Sequence, residues 1–180
     1  VAGGSYAPAL ALGASGEPIV AFDALDAGPK PIVRVRALSG ASWQTLATID
    51  AEARGVRLAA GGASEFALAY QETGIGIVVV GWDGAQLVPI GAGPALPAVS
   101  GSFALSTDTA RGATLTAQGQ GTLTWETNSW DAVAQDLGFA DSSQAADRTL
   151  AHAPDASLFS AFSEVPVGES AARVYVQRLD

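Results

Sequence analysis

The chain has 180 residues, of which 48% are hydrophobic and 15% are charged. This composition fits one domain or a short repeat array with a sizeable core, and it argues against a disordered, highly charged tail. Nine basic residues stand against 18 acidic ones, a net charge of −9. Because nucleic-acid binding needs a basic patch, we expect no nucleic-acid partner. The chain has no Cys and one His, which excludes disulfides, thiolate metal sites and multi-His metal sites.

A segment near the start of the sequence recurs three times without gaps. The window 9–22 aligns with the windows 57–70, 104–117 and 149–162. Each window has a leucine at its second position, namely Leu10, Leu58, Leu105 and Leu150. Each leucine is followed by a small residue, namely Ala11, Ala59, Ser106 and Ala151. The chain therefore contains four repeats of about 45 to 48 residues, at about 1–48, 49–92, 93–138 and 139–180.

Each repeat has the pattern of β-strands. Residues 31–36 alternate between two faces, the period of a half-buried strand, and residues 75–80 form a nearly continuous β-branched run. Asp83-Gly84 is a strong hairpin signal. The third strands align as 33–35, 77–79, 123–125 and 174–176, and the fourth strands align at Trp43, Leu87 and Trp130.

Four short strands per repeat at this period predict an all-β protein with the architecture of a β-propeller, built of four blade-like antiparallel sheets. The first strand of each unit, with its small residue, is predicted to line the axis, where the blades crowd. The four repeat leucines are predicted to occupy equivalent buried sites. Trp43 and Trp130, on the outermost strand, are predicted to be buried between adjacent sheets.

The segments PALALGASGEPIVAF (residues 8–22) and IVRVRALSGASWQTL (residues 32–46) resemble the degenerate propeller repeats of bacterial surface and secreted proteins. The resemblance covers nearly the whole chain and implies the fold, but it implies little about function. The turn 39–43 also looks like the end of a sialidase Asp-box. Leu38 stands where that motif has its Asp, so no sialidase residue is carried over.

The fourth repeat ends at its third strand, which predicts a last blade lacking its outer strand. Three arrangements are compatible with this: a closed four-bladed ring with one thin blade, part of a larger propeller, or pairing with another chain. An exposed strand edge invites pairing. We therefore expect residues 1–7, a further segment or another chain to lie beside the edge at residues 173–178.

The candidate site residues are few, and the pattern assigns no catalytic residue and no cofactor. The loops of varying length at one end of the units are the expected contact surface for a protein or glycan partner. Asp23 and Asp26 could bind Ca²⁺ through oxygen ligands, although such carboxylates are commonly solvated turn residues. His152 is expected in the wall of the central channel or in the core. Trp82 and Trp125 could stack on a sugar, and packing between blades is the default role for both.

These observations predict a non-catalytic β-propeller that acts as a binding or structural module of an exported bacterial protein, within a larger assembly. The absence of Met and Cys, with abundant Ala and Gly, is typical of such an extracellular or cell-surface protein, and any signal peptide is expected to have been removed. The absence of Cys fits a cytosolic protein equally well. The alternative function is an extracellular glycan hydrolase with paired carboxylates in the central funnel. No apolar run reaches the roughly 18 residues of a membrane span.

Overall fold

The computed structural model describes residues 8–13, 15–25, 30–61, 65–91, 95–97, 103–108, 112–117, 121–126, 129–132, 146–153, 155, 157–165, 168 and 170–179. These residues form fifteen strands in four separate antiparallel sheets, and they include no helix. The all-β class and the four antiparallel sheets predicted from the repeats are thereby confirmed.

Each sheet follows chain order from its first strand to its last. Sheet 1 consists of β1 (Ala9–Leu12), β2 (Pro18–Leu25), β3 (Pro31–Ser39) and β4 (Ser42–Ile49). Sheet 2 consists of β5 (Ala53–Ala60), β6 (Phe66–Glu72), β7 (Gly76–Trp82) and β8 (Leu87–Pro89). Sheet 3 consists of β9 (Phe103–Asp108), β10 (Gly112–Ala117), β11 (Gly121–Glu126) and β12 (Ser129–Ala132). Sheet 4 has three described strands, β13 (Ala146–His152), β14 (Leu158–Glu164) and β15 (Arg173–Leu179).

The register between the first two strands of each sheet reproduces the repeat alignment. Each repeat leucine lies opposite the residue ten positions further on, in the pairs Leu10–Val20, Leu58–Leu68, Leu105–Leu115 and Leu150–Ser160. Because a slip of one residue would turn every side chain to the other face, this shared register makes the four windows structurally equivalent.

The turn between these two strands is also repeated. The backbone N–H at its first residue donates to the carbonyl four residues later in three units, as Gly13 to Glu17, Gly61 to Glu65 and Ala153 to Ser157. The uniform turn explains why the windows align without gaps, since no residue is gained or lost between the first and second strands.

The third strand of sheet 3 lies in a different register from the one that the sequence predicts. Val35, Val79 and Val176 each lie opposite an alanine of the second strand, and the equivalent residue of sheet 3 is Thr122, opposite Thr116. The predicted alignment of residues 123–125 is therefore displaced by three positions. Six positions separate Thr116 from Thr122, against ten between Ala69 and Val79, and period-2 alternation alone does not fix a register across a hairpin of changing length.

The two faces of each sheet are distinguished by the repeat leucine on one and by a small residue of the second strand on the other. We call the face that carries Leu10, Leu58, Leu105 or Leu150 the leucine face, and the opposite face the small-residue face. The small-residue face carries a small side chain in the second strand of every sheet, namely Ala21, Ala69, Thr116 and Ala161. Side chains alternate between faces along a strand, so these positions follow directly from the register.

The sheets stack face to face in chain order. One buried cluster joins Ala21 and Val35 of sheet 1 to Phe66 and Leu68 of sheet 2. A second cluster joins the small-residue face of sheet 2 to the leucine face of sheet 3, and a third joins Ala104 of sheet 3 to the leucine face of sheet 4. In all three contacts, the leucine face of one sheet covers the small-residue face of the sheet before it.

Two predictions of burial are wrong for the same reason. Leu105 and Leu150 are buried and Leu58 is half-buried, but Leu10 is 68% exposed. Trp43 is 41% exposed, whereas Trp130 is partly buried against the core between sheets 2 and 3. Leu10 and Trp43 both lie on the leucine face of sheet 1, and no described sheet covers that face.

The contact between sheets 3 and 4 buries hydroxyl groups. Thr116 and Thr122 on the small-residue face of sheet 3 are buried and joined by a hydrogen bond of 3.1 Å between their hydroxyls. Facing them, Ser160 is fully buried, and its hydroxyl has no hydrogen-bond partner among the described residues. This hydroxyl therefore loses its hydration on folding without compensation.

Ser160→Ala is expected to stabilise the protein. Removing a buried, unsatisfied hydroxyl recovers its desolvation cost, about 1 kcal/mol or somewhat more. Urea unfolding of the variant and the wild type measures the difference. Thr116→Ala is the matched control, because it breaks a satisfied hydroxyl pair and should be destabilising. A loss of stability in Ser160→Ala would show that its hydroxyl is satisfied by an ordered water.

Candidate functional site

The first strands of the four sheets come together around one cavity. Neighbouring first strands contact one another in the order β1, β5, β9 and β13. All four line a cavity of about 620 Å³, which we call the central cavity. The small residues that the repeat predicts for this wall all line it, namely Ala11, Ala59, Ser106 and Ala151. The first strands of all four sheets therefore border one common space.

Polar side chains in the wall of the central cavity join neighbouring first strands. Ser106 Oγ lies 3.2 Å from His152 Nδ1, which links β9 to β13. Thr107 Oγ1 donates to the carbonyl of Ala60 at 2.7 Å, which links β9 to β5. His152 is a wall residue, as the sequence predicts. These hydrogen bonds replace lost hydration and hold the strands together.

Arg57 ties β5 to β9 at another level of the same wall. Its Nε donates to the carbonyl of Phe103 at 2.8 Å, and its guanidinium carbon lies 5.2 Å from the centre of the Phe103 ring. The cation therefore combines a charge-assisted hydrogen bond with a cation–π contact. It stabilises the contact between sheets 2 and 3 from inside the cavity.

The described lining of the central cavity contains no Asp or Glu. Glycoside hydrolysis needs two carboxyl groups on either side of the scissile bond. Two acidic residues lie instead in turns, one between β7 and β8 and one between β13 and β14, where they accept backbone N–H groups. Asp83 Oδ1 accepts from Ala85 and Gln86, and Asp155 Oδ1 accepts from Ser157. These hydrogen bonds lower the pKa of both groups, which keeps them ionised as turn acceptors and not as general acids.

The opposite end of sheets 1 and 2, which we call the loop end, is formed by the connections between second and third strands and by those between successive sheets. Lys30, before β3, forms an ion pair of 3.2 Å with Asp50, after β4. Thr73, between β6 and β7, donates both its N–H and its hydroxyl to the carbonyl of Glu52. The connections between second and third strands therefore meet those between sheets, as the sequence predicts for a shared surface. Most of the corresponding loops of sheets 3 and 4 lie outside the described residues.

Asp23 and Asp26 are the calcium candidates. Asp26 lies outside the described residues, and Asp23 lies beside the loop end. Asp23 Oδ2 accepts the N–H of Gly55 at 3.1 Å, and Oδ1 is buried without a hydrogen-bond partner among the described residues. Burial raises its pKa, and the Gly55 N–H and the charge of Arg57 oppose this in part. No group of three His, Cys, Asp or Glu side chains in the described part of the chain could hold a metal ion.

Asp23→Asn is expected to change how stability depends on pH. A raised pKa means that the folded protein binds this proton more tightly than the unfolded chain, so stability falls as pH rises through the folded pKa. Asn keeps an oxygen for the Gly55 N–H and carries no charge, so the variant should gain stability relative to wild type from about pH 3 to about pH 7. Thermal melts across this range measure the gain.

The contrasting control for this pH series is Asp83→Asn. The pKa of Asp83 is lowered by the N–H groups of Gln86 and Ala85, so its stabilising effect is present above the unfolded pKa and lost as pH falls. The two variants should therefore diverge from wild type in opposite directions. Parallel curves for both would contradict the burial of the Asp23 carboxyl.

Trp82 and Trp125 line one small cavity of about 250 Å³ between sheets 2 and 3. Each ring packs against another ring of the protein. Trp82 stacks on Phe66 at 5.8 Å between centroids, and Trp125 meets Trp130 at 5.4 Å and a tilt of 58°. Gly91, at φ +101°, leaves room for this pair, since a Cβ there would lie 3.0 Å from Trp130 Nε1. Both tryptophans thus pack against other aromatic rings, in line with the packing role that the sequence favours over sugar binding.

No protein-family model matches the chain, and comparison with curated proteins and with solved structures found no match. Among the described residues, no helix is long and apolar enough to cross a membrane. The class that fold and site define is a repeat-like all-β protein of four antiparallel sheets, with a cavity whose described lining has no carboxylate.

Proposed function

We propose that the chain is a set of β-propeller blades that serves as a non-catalytic binding or structural module. The observation that carries this proposal is the central cavity. The first strands of all four sheets line it with the same four positions of the repeat window, and its described wall has no carboxylate. Propellers place the first strand of each blade at the axis. The stacking of each leucine face on the preceding sheet supports the same arrangement.

The loop end is the proposed contact surface for a protein or glycan partner. Binding residues concentrate on loops that a rigid scaffold holds in place, and the Lys30–Asp50 and Thr73–Glu52 contacts hold this end together. We propose further that the module belongs to an exported bacterial protein. The Cys-free, Ala- and Gly-rich composition supports this location.

The blade arrangement can be tested with cysteines introduced in pairs, because the native chain has none. Ser106→Cys with His152→Cys places two thiols on neighbouring first strands, at side chains that touch in the structure. A short bifunctional thiol reagent should join them in the folded protein. The control pair is Ser106→Cys with Ser39→Cys, on an outer turn, which should stay unlinked. Equal yields for the two pairs would contradict the arrangement.

The non-catalytic assignment is tested with fluorogenic glycosides, including hexosides and a sialoside, over a range of pH. We expect no turnover above the blank. Oligosaccharide and peptide titrations followed by amide chemical shifts should perturb Lys30, Asp50 and Thr73 at the loop end. Turnover that is lost on substitution of one carboxylate would overturn the proposal in favour of the hydrolase.

His152→Ala is expected to leave any such binding unchanged and to lower stability by about 0.5 to 1.5 kcal/mol, because the buried Ser106 hydroxyl loses a partner. Titration of the variant at matched concentrations, alongside its thermal melt, separates the two effects. Loss of binding in a variant that still folds would show that the imidazole contacts the ligand.

A further inference from the structure

At the two ends of the stack, two sheet faces are covered by no described sheet and carry exposed apolar side chains, although Ile32 on the leucine face of sheet 1 is only 2% exposed. On the leucine face of sheet 1, Leu10 is 68% exposed and Leu12 59%. On the small-residue face of sheet 4, Val174 is 76% exposed and Val176 68%. These are among the most exposed large apolar side chains of the described residues, and they belong to the first and the last sheet.

Equivalent positions show that the missing neighbour causes this exposure. The third-strand residue opposite the small side chain is Val35, Val79, Thr122 and Val176 in sheets 1 to 4. The first three are 0%, 1% and 4% exposed, each under the next sheet, whereas Val176 is 68% exposed. Residue type and register are nearly the same, so Val176 differs chiefly in having no sheet over it.

The two uncovered faces fit each other by the rule that the three internal contacts follow. The leucine face of sheet 1 carries large side chains, including Leu10, Leu12 and Phe22. The small-residue face of sheet 4 carries Ala151, Ala161 and Val176, together with the larger Phe159 opposite Ala151. Large side chains on one face pack into the space over small ones on the other, as in the contacts already formed. The first sheet therefore carries the kind of face that covers each small-residue face in the internal contacts, and the last sheet has no such neighbour.

We propose that the leucine face of sheet 1 of one copy packs on the small-residue face of sheet 4 of a second copy of this chain. This contact would repeat, between chains, the packing seen three times within one chain, and it rests on the proposed stack of blades. The two faces do not pack on each other within one chain, because Leu10 and Val176 are exposed. A contact between two different faces is heterologous, so it builds rings when it closes and filaments when it does not.

This face-to-face contact differs from pairing at the edge of β15. Edge pairing would satisfy backbone groups of residues 173–178 but would leave the side chains of Val174 and Val176 exposed. The face contact buries those side chains and also Leu10. Each copy carries a net charge of −9, so an apolar contact should strengthen as salt screens the repulsion.

The test uses one variant for each face, Leu10→Glu and Val176→Glu, in analytical ultracentrifugation of the full chain. The wild type should assemble beyond its 18.1 kDa protomer, and more so at higher salt. Either variant alone should be monomeric at concentrations about tenfold above those at which the wild type assembles. Mixed together, the two variants should form a species of twice the protomer mass, because each retains the face that the other lacks.

The matched control is Ile75→Glu, which adds the same charge at a 49% exposed apolar residue in the turn before β7. It should assemble like the wild type. A wild type that stays monomeric at high concentration and high salt would overturn the proposal. So would an assembly that survives both face variants, because this would point to the edge of β15.

A measurement that changes neither Leu10 nor Val176 keeps the test valid if a charged variant fails to fold. Trp43 lies on the leucine face of sheet 1, so its quenching by acrylamide should fall as the concentration of the wild-type protein rises. The Trp43→Phe variant identifies its share of the signal. Hydrogen exchange at β10 in the same samples reports whether the stack within one chain is intact. A monomer with a protected β10 would refute the contact between copies while leaving the proposed blade arrangement in place.

Discussion

Leu105→Ala is expected to lower the free energy of unfolding by about 2 to 5 kcal/mol, whereas Leu10→Ala should change it by less than about 0.5 kcal/mol. The two leucines have the same strand register, but Leu105 is 6% exposed against sheet 2 and Leu10 is 68% exposed. Truncating the buried side chain removes packing and leaves a cavity, while the exposed one has little contact to lose. Urea unfolding at low protein concentration, where copies do not associate, measures both.

Leu58→Ala serves as the intermediate point of this series, because Leu58 is half-buried against sheet 1. The expected order of destabilisation is Leu105, then Leu58, then Leu10. Equal losses at Leu10 and Leu105 in the dilute monomer would mean that another part of the same chain covers the leucine face of sheet 1.

The repeat window carried enough information to predict the four sheets and the register of their first two strands. Its gap-free alignment depends on a turn that keeps the same length, as the Gly13–Glu17 and Gly61–Glu65 hydrogen bonds show. Where the spacing between paired residues of the second and third strands changes, as in sheet 3, the predicted alignment is wrong by three residues. A repeat fixes register only as far as its turns are uniform.

Burial could not be predicted from the repeat, because it depends on a neighbouring sheet and not on the residue itself. Leu10 and Leu105 occupy the same position in their sheets and differ by about tenfold in exposure. Trp43 and Trp130 differ in the same way, since Trp130 has sheet 2 beside it and donates its Nε1–H to the carbonyl of Ile90. The end sheets of a stack are atypical for this reason.

The central cavity was partly predictable and partly not. Small residues at the third position of each window indicated a crowded wall, and His152 was placed there by its alignment. The contact between Ser106 and His152 joins residues 46 positions apart, so no local pattern could indicate it. Likewise, the burial of Asp23 arises from the approach of Gly55 on sheet 2, whereas the sequence offered Asp23 and Asp26 only as a weak calcium candidate or as solvated turn residues.

The contact between sheets 1 and 2 is expected to be the most sensitive to truncation. Phe66 is fully buried there, and its ring stacks on Trp82 with an angle of 7° between the planes. Its neighbours include Leu68 and Val35, which are also fully buried, so little rearrangement could fill the space that the ring leaves. Phe66→Ala should therefore destabilise the protein by about 3 to 5 kcal/mol.

A double-mutant cycle separates the stacking of the two rings from the burial of each. Phe66→Ala, Trp82→Ala and the double variant should give a coupling of about 0.5 to 1.5 kcal/mol, the usual value for a packed aromatic pair. Ile75→Ala, in an exposed turn, is the control and should change stability by less than about 0.5 kcal/mol. Because nearest-neighbour contacts hold such a stack together, hydrogen exchange should rise in β2, β3, β6 and β7 of the Phe66→Ala variant before it rises in sheet 4. Uniform loss of protection in all four sheets would instead show that the stack unfolds as a single unit.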